Sequence, residues 1–182
     1  PEEIIKTRYI DEKSNQQIMR YDIEPKIEPL LFDFPEKWNS EYDALVISDY
    51  DKGFLTTEKI FELTSRFVGP VFIDSKKSNL PTDAYIKINE LEYERMAYCN
   101  YENLIITRGG EGAEYKGDLY PAEKVNVFDV VGAGDTFLAA LAYGYLKYGR
   151  IDKAIPLANK AAAVAVSHRG TYVLTKEDVR QF

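Results

Sequence analysis

The sequence has very few of the residues that form disulfides or Cys/His metal sites. Its 182 residues include one cysteine, Cys99, and one histidine, His168. A single cysteine excludes an intrachain disulfide and is typical of proteins in a reducing compartment. One cysteine and one histidine also cannot supply the ligand set of a structural zinc site. We therefore predict a cytoplasmic protein without a disulfide or a Cys/His metal cluster.

Positive charge and long apolar runs are scarce as well. The formal net charge is -7, which argues against a general nucleic-acid or anionic-membrane surface. No apolar stretch is long enough to cross a bilayer, and residues 1–10 lack the apolar segment of a signal peptide. Hydrophobic residues make up 45% of the chain, a fraction typical of a globular domain with one sizeable core. We expect no nucleic-acid and no membrane partner.

Short apolar runs alternate along the chain with segments that have helical periodicity. The runs predict strands at residues 44–48, 71–73, 85–88 and 104–107, and the other segments predict helices at 57–67, 89–97, 135–148 and 151–167. Residues 114–121 predict a hairpin, Thr57 is a candidate helix cap, and Thr175 with Asp178 caps a short terminal helix. This alternation predicts an α/β fold in which helices cover both faces of a parallel sheet.

The chain divides into three parts by composition. Residues 1–24 contain two extended stretches around a polar turn, and predict a β-ribbon that covers a site or pairs with a second subunit. Residues 25–40, which carry three prolines, predict a linker. Residues 41–182 form the α/β domain. Ligands of such domains bind beyond the carboxyl ends of the strands, where Asp49, Asp74, Asn89 and Thr107 fall.

The segment 129–135 reads Asp-Val-Val-Gly-Ala-Gly-Asp and precedes a long helix. Gly132 and Gly134 let backbone N–H groups converge without Cβ obstruction, and the positive end of the helix points to the same place. Asp135 lies at the opening of this loop, where its carboxylate suits a general base that accepts the proton of a hydroxyl group. The same residues also suit a tight turn with Asp135 as helix cap, and both interpretations remain open at this point. The spacing excludes a Walker loop and a dinucleotide-binding fingerprint.

Three segments in order resemble the signatures of the ribokinase-like (PfkB) carbohydrate kinases. They are Asn89-x-x-Glu92, Thr107-x-Gly109-x-x-Gly112 and the segment that ends in Asp135. The resemblance implies a ribokinase-like three-layer sandwich with a mostly parallel sheet, and phosphoryl transfer from ATP with Mg²⁺. It implies no other cofactor except a monovalent cation such as K⁺.

The resemblance also assigns roles to individual residues. Asp135 is implied as the base, and the amides of Gly132, Ala133 and Gly134 as the group that stabilises the transferred phosphoryl. Glu92 is implied to organise Mg²⁺ through water, and Asp129 to lie at the monovalent-cation site. The implied nucleotide contacts are Asn89, Thr107, Gly109, Gly112 and Asn159, the last beside the adenine, with residues 167–171 closing the base pocket.

Within the family, the chain is similar to the heptose 7-phosphate kinase domains of bifunctional ADP-heptose synthesis enzymes. The similarity lies in residues 48–53, in residues 74–76 with Ser75 in place of a proline, and in residues 6–22. It implies transfer to the anomeric hydroxyl of a heptose 7-phosphate. Four residues are then implied substrate contacts: Arg8, Arg20, Asp49 and Lys76. Solvated loop, strand-edge or turn roles for these four remain open alternatives.

The chain departs from the family in two ways. Val130 and Val131 replace hydroxyl residues that are common in the broader family. Family members also carry well over a hundred residues before the point that corresponds to residue 1, so the resemblance describes a chain truncated at its N-terminus. We therefore expect a homodimer or a partner that supplies the N-terminal half. A second hypothesis is a nucleotide-binding remnant or assembly subunit without kinase activity of its own.

Overall fold

A computed structural model gives the structure of residues 3–14, 16–34, 38–95 and 101–182. Predictions that involve Asn15, Pro35, Ala97 and Cys99 lie outside the described residues. Two antiparallel strands come first, then an α/β unit. In chain order the elements are β1 (Ile5–Ile10), β2 (Gln17–Ile23), α1 (Trp38–Glu41), β3 (Leu45–Asp49), α2 (Thr57–Arg66), β4 (Val71–Ser75), β5 (Tyr85–Asn89), α3 (Glu90–Arg95), β6 (Leu104–Thr107), β7 (Gly112–Tyr115), β8 (Asp118–Pro121), α4 (Ala133–Tyr148), α5 (Ile151–Val166) and α6 (Lys176–Arg180).

Six strands form the main sheet in the order β3-β4-β5-β6-β7-β8. Strands β3 to β6 are parallel, whereas β7 and β8 pair antiparallel at the far end. The β1-β2 pair forms a separate ribbon. No helix among the described residues is long and apolar enough to cross a membrane.

The apolar runs are buried because the sheet has helices on both faces. On one face, Phe72 and Ile105 pack with the buried sides of α4 and α5. On the other face, Ile73 and Ile86 pack with α2. Strands covered on both sides need apolar residues in succession, which explains the continuous runs in the sequence. This three-layer α/β arrangement confirms the predicted fold class.

Two helix starts differ from the sequence predictions. Thr56 rather than Thr57 caps α2, because Thr56 is extended and its side chain accepts a hydrogen bond from the Lys59 amide at 3.2 Å. Helix α4 starts at Ala133, two residues early, because Gly132 adopts the left-handed conformation (φ 81°) as its cap. The interpretation of Asp135 as a helix cap is therefore wrong. The Thr175–Asp178 capping box of α6 is confirmed.

The segment predicted as a linker leads into the core of the α/β unit. Trp38 is buried, and its ring lies 5.3 Å from Phe67 and 5.0 Å from Phe34. The boundaries at residues 24 and 40 remain predictions. The described part of this segment lies against the unit instead of projecting into solvent, because Leu30 also donates a backbone hydrogen bond to Phe54.

The polar strand ends meet at one edge of the sheet, as predicted. Asp49, Asn89 and Thr107 are the last residues of β3, β5 and β6, and Asp74 is next to last in β4. The start of α4 lies at this same edge. This placement brings residues that are far apart in sequence into one site.

Candidate active site

Asp135 is held by the loop that follows β3. The Tyr50 hydroxyl lies 2.8 Å from each Asp135 carboxylate oxygen, and the Ser48 hydroxyl donates to Oδ1 at 3.2 Å. Burial, followed by the hydrogen bond to Asp135 and its charge, raises the pKa of Tyr50 to about 12. The phenol is therefore a hydrogen-bond donor at neutral pH, and the Asp135 carboxylate is its acceptor.

The glycine loop, residues 129–134, is fixed by Asp129. One carboxylate oxygen accepts the Val131 amide at 3.0 Å, and the other accepts the Gly170 amide at 3.2 Å. A Cβ on Gly132 would come 3.2 Å from the Thr171 methyl group. Asp129 thus ties the loop to the segment after α5. A monovalent cation at Asp129 stays a prediction.

A cavity of about 230 Å³ opens in front of the first turn of α4. We call it the reaction cavity. It collects the ends of three strands, the loops after β3 and β4, and the first turns of α3 and α4. Its lining consists of Ser48, Asp49, Tyr50, Asp74, Lys76, Lys87, Asn89, Glu92, Gly134 and Asp135. Five of the predicted site residues therefore line it with Asp135: Asp49, Lys76, Asn89, Glu92 and Gly134.

Glu92 and Asn89 fix one wall of the reaction cavity. The backbone N–H of Asn89 donates to the Glu92 carboxylate at 2.9 Å, and the backbone N–H of Glu92 donates to the side-chain oxygen of Asn89 at 2.9 Å. No group of three or more acidic, histidine or cysteine residues in the described ranges could hold a metal on protein ligands alone. A carboxylate fixed in the wall of this cavity fits Mg²⁺, which keeps several waters and binds one or two carboxylates together with substrate phosphates.

A second network holds the loop between β3 and α2. Asp49 accepts hydrogen bonds from the buried Ser75 hydroxyl at 2.7 Å and from Lys77 at 2.8 Å, and Lys77 also contacts Asp51. Burial opposes ionisation of Asp49, but these two donors outweigh it and hold the pKa of the carboxyl below its usual value. Ser75 therefore positions Asp49 through its hydroxyl group. The loop lysine that pairs with it is Lys77, which leaves Lys76 in the cavity.

The ribbon presents its charged face to a second cavity of about 560 Å³, here called the basic cavity. The lining residues are Lys6, Arg20, Asp22, Glu24, Tyr50, Lys52 and Lys76. Arg20 pairs with Asp22 at 2.7 Å and Lys52 with Glu24 at 2.5 Å. Arg8 lies opposite Arg20 in the ribbon but does not line the cavity. Among the described residues, Lys6 and Lys76 line the cavity without forming a salt bridge, and Lys6 lies opposite Asp22 in the ribbon.

Two residues connect the basic cavity with the reaction cavity. Tyr50 and Lys76 line both. The Lys6 ammonium lies 5.3 Å from the centre of the Tyr50 ring, within the range of a cation–π contact. A molecule that spans the two cavities would place an anionic group beside the lysines and a hydroxyl group beside Asp135.

The predicted nucleotide turn is a tight turn after β6. Gly109–Glu111 form one 3₁₀ turn, and the Arg108 amide donates to the Gly112 carbonyl at 2.7 Å. A Cβ on Gly112 would lie 2.1 Å from the Tyr120 carbonyl oxygen, so only glycine fits there. The Arg108 side chain is engaged by Glu90 and Glu114 and not directed at an open site.

A third cavity, about 550 Å³, lies beside the end of α5. Its lining residues are Lys124, Val125, Asn126, Phe128 and Ser167. Asn159 is not among them: it is buried, and its amide donates to the Tyr120 carbonyl at 2.7 Å. Asn159 thus connects α5 to β8, while Ser167, at the start of the predicted closing segment, reaches the cavity.

Sequence reasoning missed Tyr50 as a partner of Asp135 and did not consider Lys87. The Lys87 side chain is only 6% exposed and lies 2.6 Å from Asp74. Burial raises the pKa of Asp74, although the Lys87 charge opposes this. Lys87 could have been identified from the sequence because it is a lysine within the otherwise apolar run of β5, and charged residues are rarely buried without a partner.

A comparison with known families covers the C-terminal part of the chain. A model described as pfkB family carbohydrate kinase matches residues 84–178, more than half of the chain. The chain belongs to this family. The match includes Asn89, Glu92, the turn at residues 107–112 and the glycine loop with Asp135. The family predicted from these segments is confirmed.

Curated relatives point to the same family, and a solved structure shows the fold. The chain is 33% identical to the bifunctional protein HldE of Nitratiruptor sp., over 93% of this chain and 43% of that protein. It is 31% identical to HldE of Campylobacter jejuni, over 92% and 43%. The chain therefore spans less than half the length of these relatives. A ribokinase from Thermotoga maritima superposes with a TM-score of 0.71 at 21% identity, over 97% of this chain and 68% of that one. This likeness shows a ribokinase-like fold.

Proposed function

We propose that the chain catalyses transfer of a phosphoryl group from ATP to a hydroxyl of a sugar phosphate, the anomeric hydroxyl of a heptose 7-phosphate. One observation carries the proposal: the Asp135 carboxylate lies in the first turn of α4, beside the glycine loop, and faces the reaction cavity. Family membership supports the reaction class. The similarity of residues 48–53 to heptose 7-phosphate kinases supports the sugar.

In the proposed reaction, Asp135 accepts the proton of the acceptor hydroxyl, whose oxygen attacks the γ-phosphorus. Tyr50 and Ser48 hold the carboxylate in place through their hydrogen bonds. The amides of Gly132, Ala133 and Gly134, with the positive end of α4, stabilise charge on the transferred group. Catalysis therefore consists of positioning and electrostatic stabilisation, as is general for phosphoryl transfer.

The proposed nucleotide site extends from the turn at residues 107–112 to the third cavity. The phosphates lie along Thr107 and Gly109, where the open space at the Gly109 Cβ position lets the backbone approach them closely. Gly112 contributes by holding this turn against β8. The base enters the cavity beside Ser167, and Asn159 supports it indirectly by fixing β8 against α5. Glu92 and Asn89 would hold hydrated Mg²⁺, which neutralises phosphate charge when bound.

The sugar phosphate is proposed to span the two connected cavities. Its distal phosphate lies among the cationic groups of the basic cavity, where Lys6 and Lys76 form no salt bridge in the described part of the chain. Arg20 is oriented by Asp22, and Arg8 adds charge from the neighbouring strand. The sugar ring then passes Tyr50 to reach Asp135.

The proposal includes a second polypeptide and a cytoplasmic location. The ribbon face opposite the basic cavity is apolar and exposed, and it consists of Ile5, Tyr9, Met19, Tyr21 and Ile23, which are 45–58% exposed. Strand β3 forms the sheet edge, and Val46 on it is 44% exposed. Exposed apolar faces and edges favour contact with another chain, here a second copy. The single cysteine supports a reducing compartment.

An ATP-consumption assay with a panel of sugar phosphates tests the proposal. The chain should convert ATP to ADP only with an acceptor, and heptose 7-phosphate should give the highest kcat/KM. Parallel calorimetry should show ATP binding that depends on Mg²⁺. ATP binding without turnover on any acceptor would contradict the kinase proposal and favour the nucleotide-binding remnant.

A further inference from the structure

Lys87 has an unusual position for a lysine. It lies in the middle of β5, between the fully buried Ile86 and Ile88. Its ammonium group lies 2.6 Å from the Asp74 carboxylate, and its side chain is only 6% exposed. Removing an ammonium group from water is costly even when it is paired. A buried ion pair is therefore weak evidence for a stabilising role, and a functional reason is worth testing.

The ammonium group of Lys87 packs against the first turn of α4. A Cβ built on Gly134 would lie 2.9 Å from Lys87 Nζ, closer than real Cβ contacts allow. Gly134 does not have a positive φ, so its backbone does not require glycine. The missing side chain leaves room for the lysine. The cation thus lies directly beside the amides that form the anion-stabilising loop.

Lys87 also reaches the reaction cavity. It lines that cavity together with Asn89, Glu92, Gly134 and Asp135. A purely structural ion pair has no need to face the cavity that holds the candidate base. An ammonium group is a compact point charge suited to phosphate oxygens. One N–H of the Lys87 ammonium group donates to Asp74, and among the described residues its other two N–H groups remain available to a ligand.

We propose that Lys87 is a further catalytic residue that binds an oxygen of the γ-phosphoryl group. This inference rests on the proposed function. In the step, Asp135 takes the proton of the acceptor hydroxyl, the acceptor oxygen forms a bond to the γ-phosphorus, and the bond from that phosphorus to the β,γ-bridging oxygen breaks to release ADP. Lys87 neutralises charge on the transferred oxygens. Asp74 orients the ammonium group.

The test uses Lys87→Met, the double variant Lys87→Met/Asp74→Asn, and a matched control. The single variant leaves the partly buried Asp74 carboxylate without its partner, so the melting temperature of the variant should fall. The double variant removes both charges and should recover thermal stability. Lys59→Met is the control, because Lys59 is also shielded (13% exposed) and paired, but with Glu62 on the helix α2.

Two readouts separate a catalytic from a structural role. The first is the affinity for ATP relative to ADP, both with Mg²⁺, measured by calorimetry. The second is kcat with the best acceptor of the panel. The double variant should lose roughly 10-fold or more of its ATP-over-ADP preference and roughly 100-fold of kcat, with ADP affinity unchanged. Lys59→Met should match the parent in both.

A double variant that regains stability and also keeps the parent kcat and ATP preference would overturn the inference. The outcome is distinguishable from failure of the proposed function. If the parent chain phosphorylates no acceptor but loses its preference for ATP when Lys87 is replaced, the kinase proposal fails while the γ-phosphate contact stands. If the parent is active and the double variant equals it, Lys87 is not catalytic and the kinase proposal stands.

Discussion

The turn at Gly109, Gly110 and Gly112 allows one prediction to be worked out in detail. Replacing Gly112 by alanine would place a Cβ 2.1 Å from the Tyr120 carbonyl oxygen, at a φ of +111°. A backbone conformation of this kind costs a side-chain-bearing residue about 1–3 kcal/mol. The clash with rigid backbone adds about 1–3 kcal/mol, because β8 must shift. We expect Gly112→Ala to lose about 2–6 kcal/mol of the free energy of unfolding.

The neighbouring glycines provide matched controls. Gly109 has φ +53° but open space around its Cβ position, so alanine there should cost the strain of the left-handed backbone alone, about 1–2 kcal/mol. Gly110 has neither constraint, and alanine there should be neutral or slightly stabilising. For a chain of this size, 1 kcal/mol corresponds to roughly 2–4 °C in melting temperature. Thermal unfolding followed by circular dichroism should therefore rank the three variants, with Gly112→Ala at least about 4 °C below the parent. Equal melting temperatures for Gly112→Ala and Gly110→Ala would refute this account of the turn.

Two further predictions concern the loop after β3 and the ribbon. Tyr50→Phe should lower kcat by roughly 10-fold through loss of charge-assisted hydrogen bonds to Asp135. Because the raised pKa of about 12 keeps the phenol protonated, the ratio of the two kcat values should stay constant from pH 6 to 10; a ratio that narrows above pH 9 would indicate an ordinary tyrosine. Tyr21→Glu on the apolar ribbon face should convert a dimer to a monomer in light scattering, whereas Val173→Glu, an exposed position outside the ribbon, should not. A monomeric parent chain would contradict the proposed ribbon contact.

Local features of the fold could be predicted from the sequence because they depend on neighbouring residues. The apolar runs of β4 to β6 follow from burial of these strands on both faces of the sheet. The capping box of α6 involves residues three apart, Thr175 and Asp178. The strand ends at Asp49 and Asn89 could be predicted because the apolar runs stop at these polar residues. The order of the three motif segments, which end in Glu92, Gly112 and Asp135, was enough to predict the family. The polar residues at the strand ends were enough to predict the edge of the sheet where ligands bind.

Other features depended on long-range contacts and could not be predicted. Thr56 and Thr57 are equally good caps in isolation, and only the path of the chain before α2 selects Thr56. The pairing of Asp49 with Lys77 rather than Lys76 depends on how the chain leaves β4. The contact between Lys87 and Gly134 joins residues 47 positions apart and is visible only once α4 packs over the strand ends.

The central claim is that Asp135 is the base for phosphoryl transfer. It is tested most directly by ³¹P NMR of reactions that contain ATP, Mg²⁺ and heptose 7-phosphate, with the parent chain and with Asp135→Asn. The account predicts a new anomeric phosphate signal with the parent chain. It also predicts a rate reduced by on the order of 100-fold or more in the variant, with ATP affinity unchanged. An Asp135→Asn variant that forms the product at the parent rate would contradict the assignment.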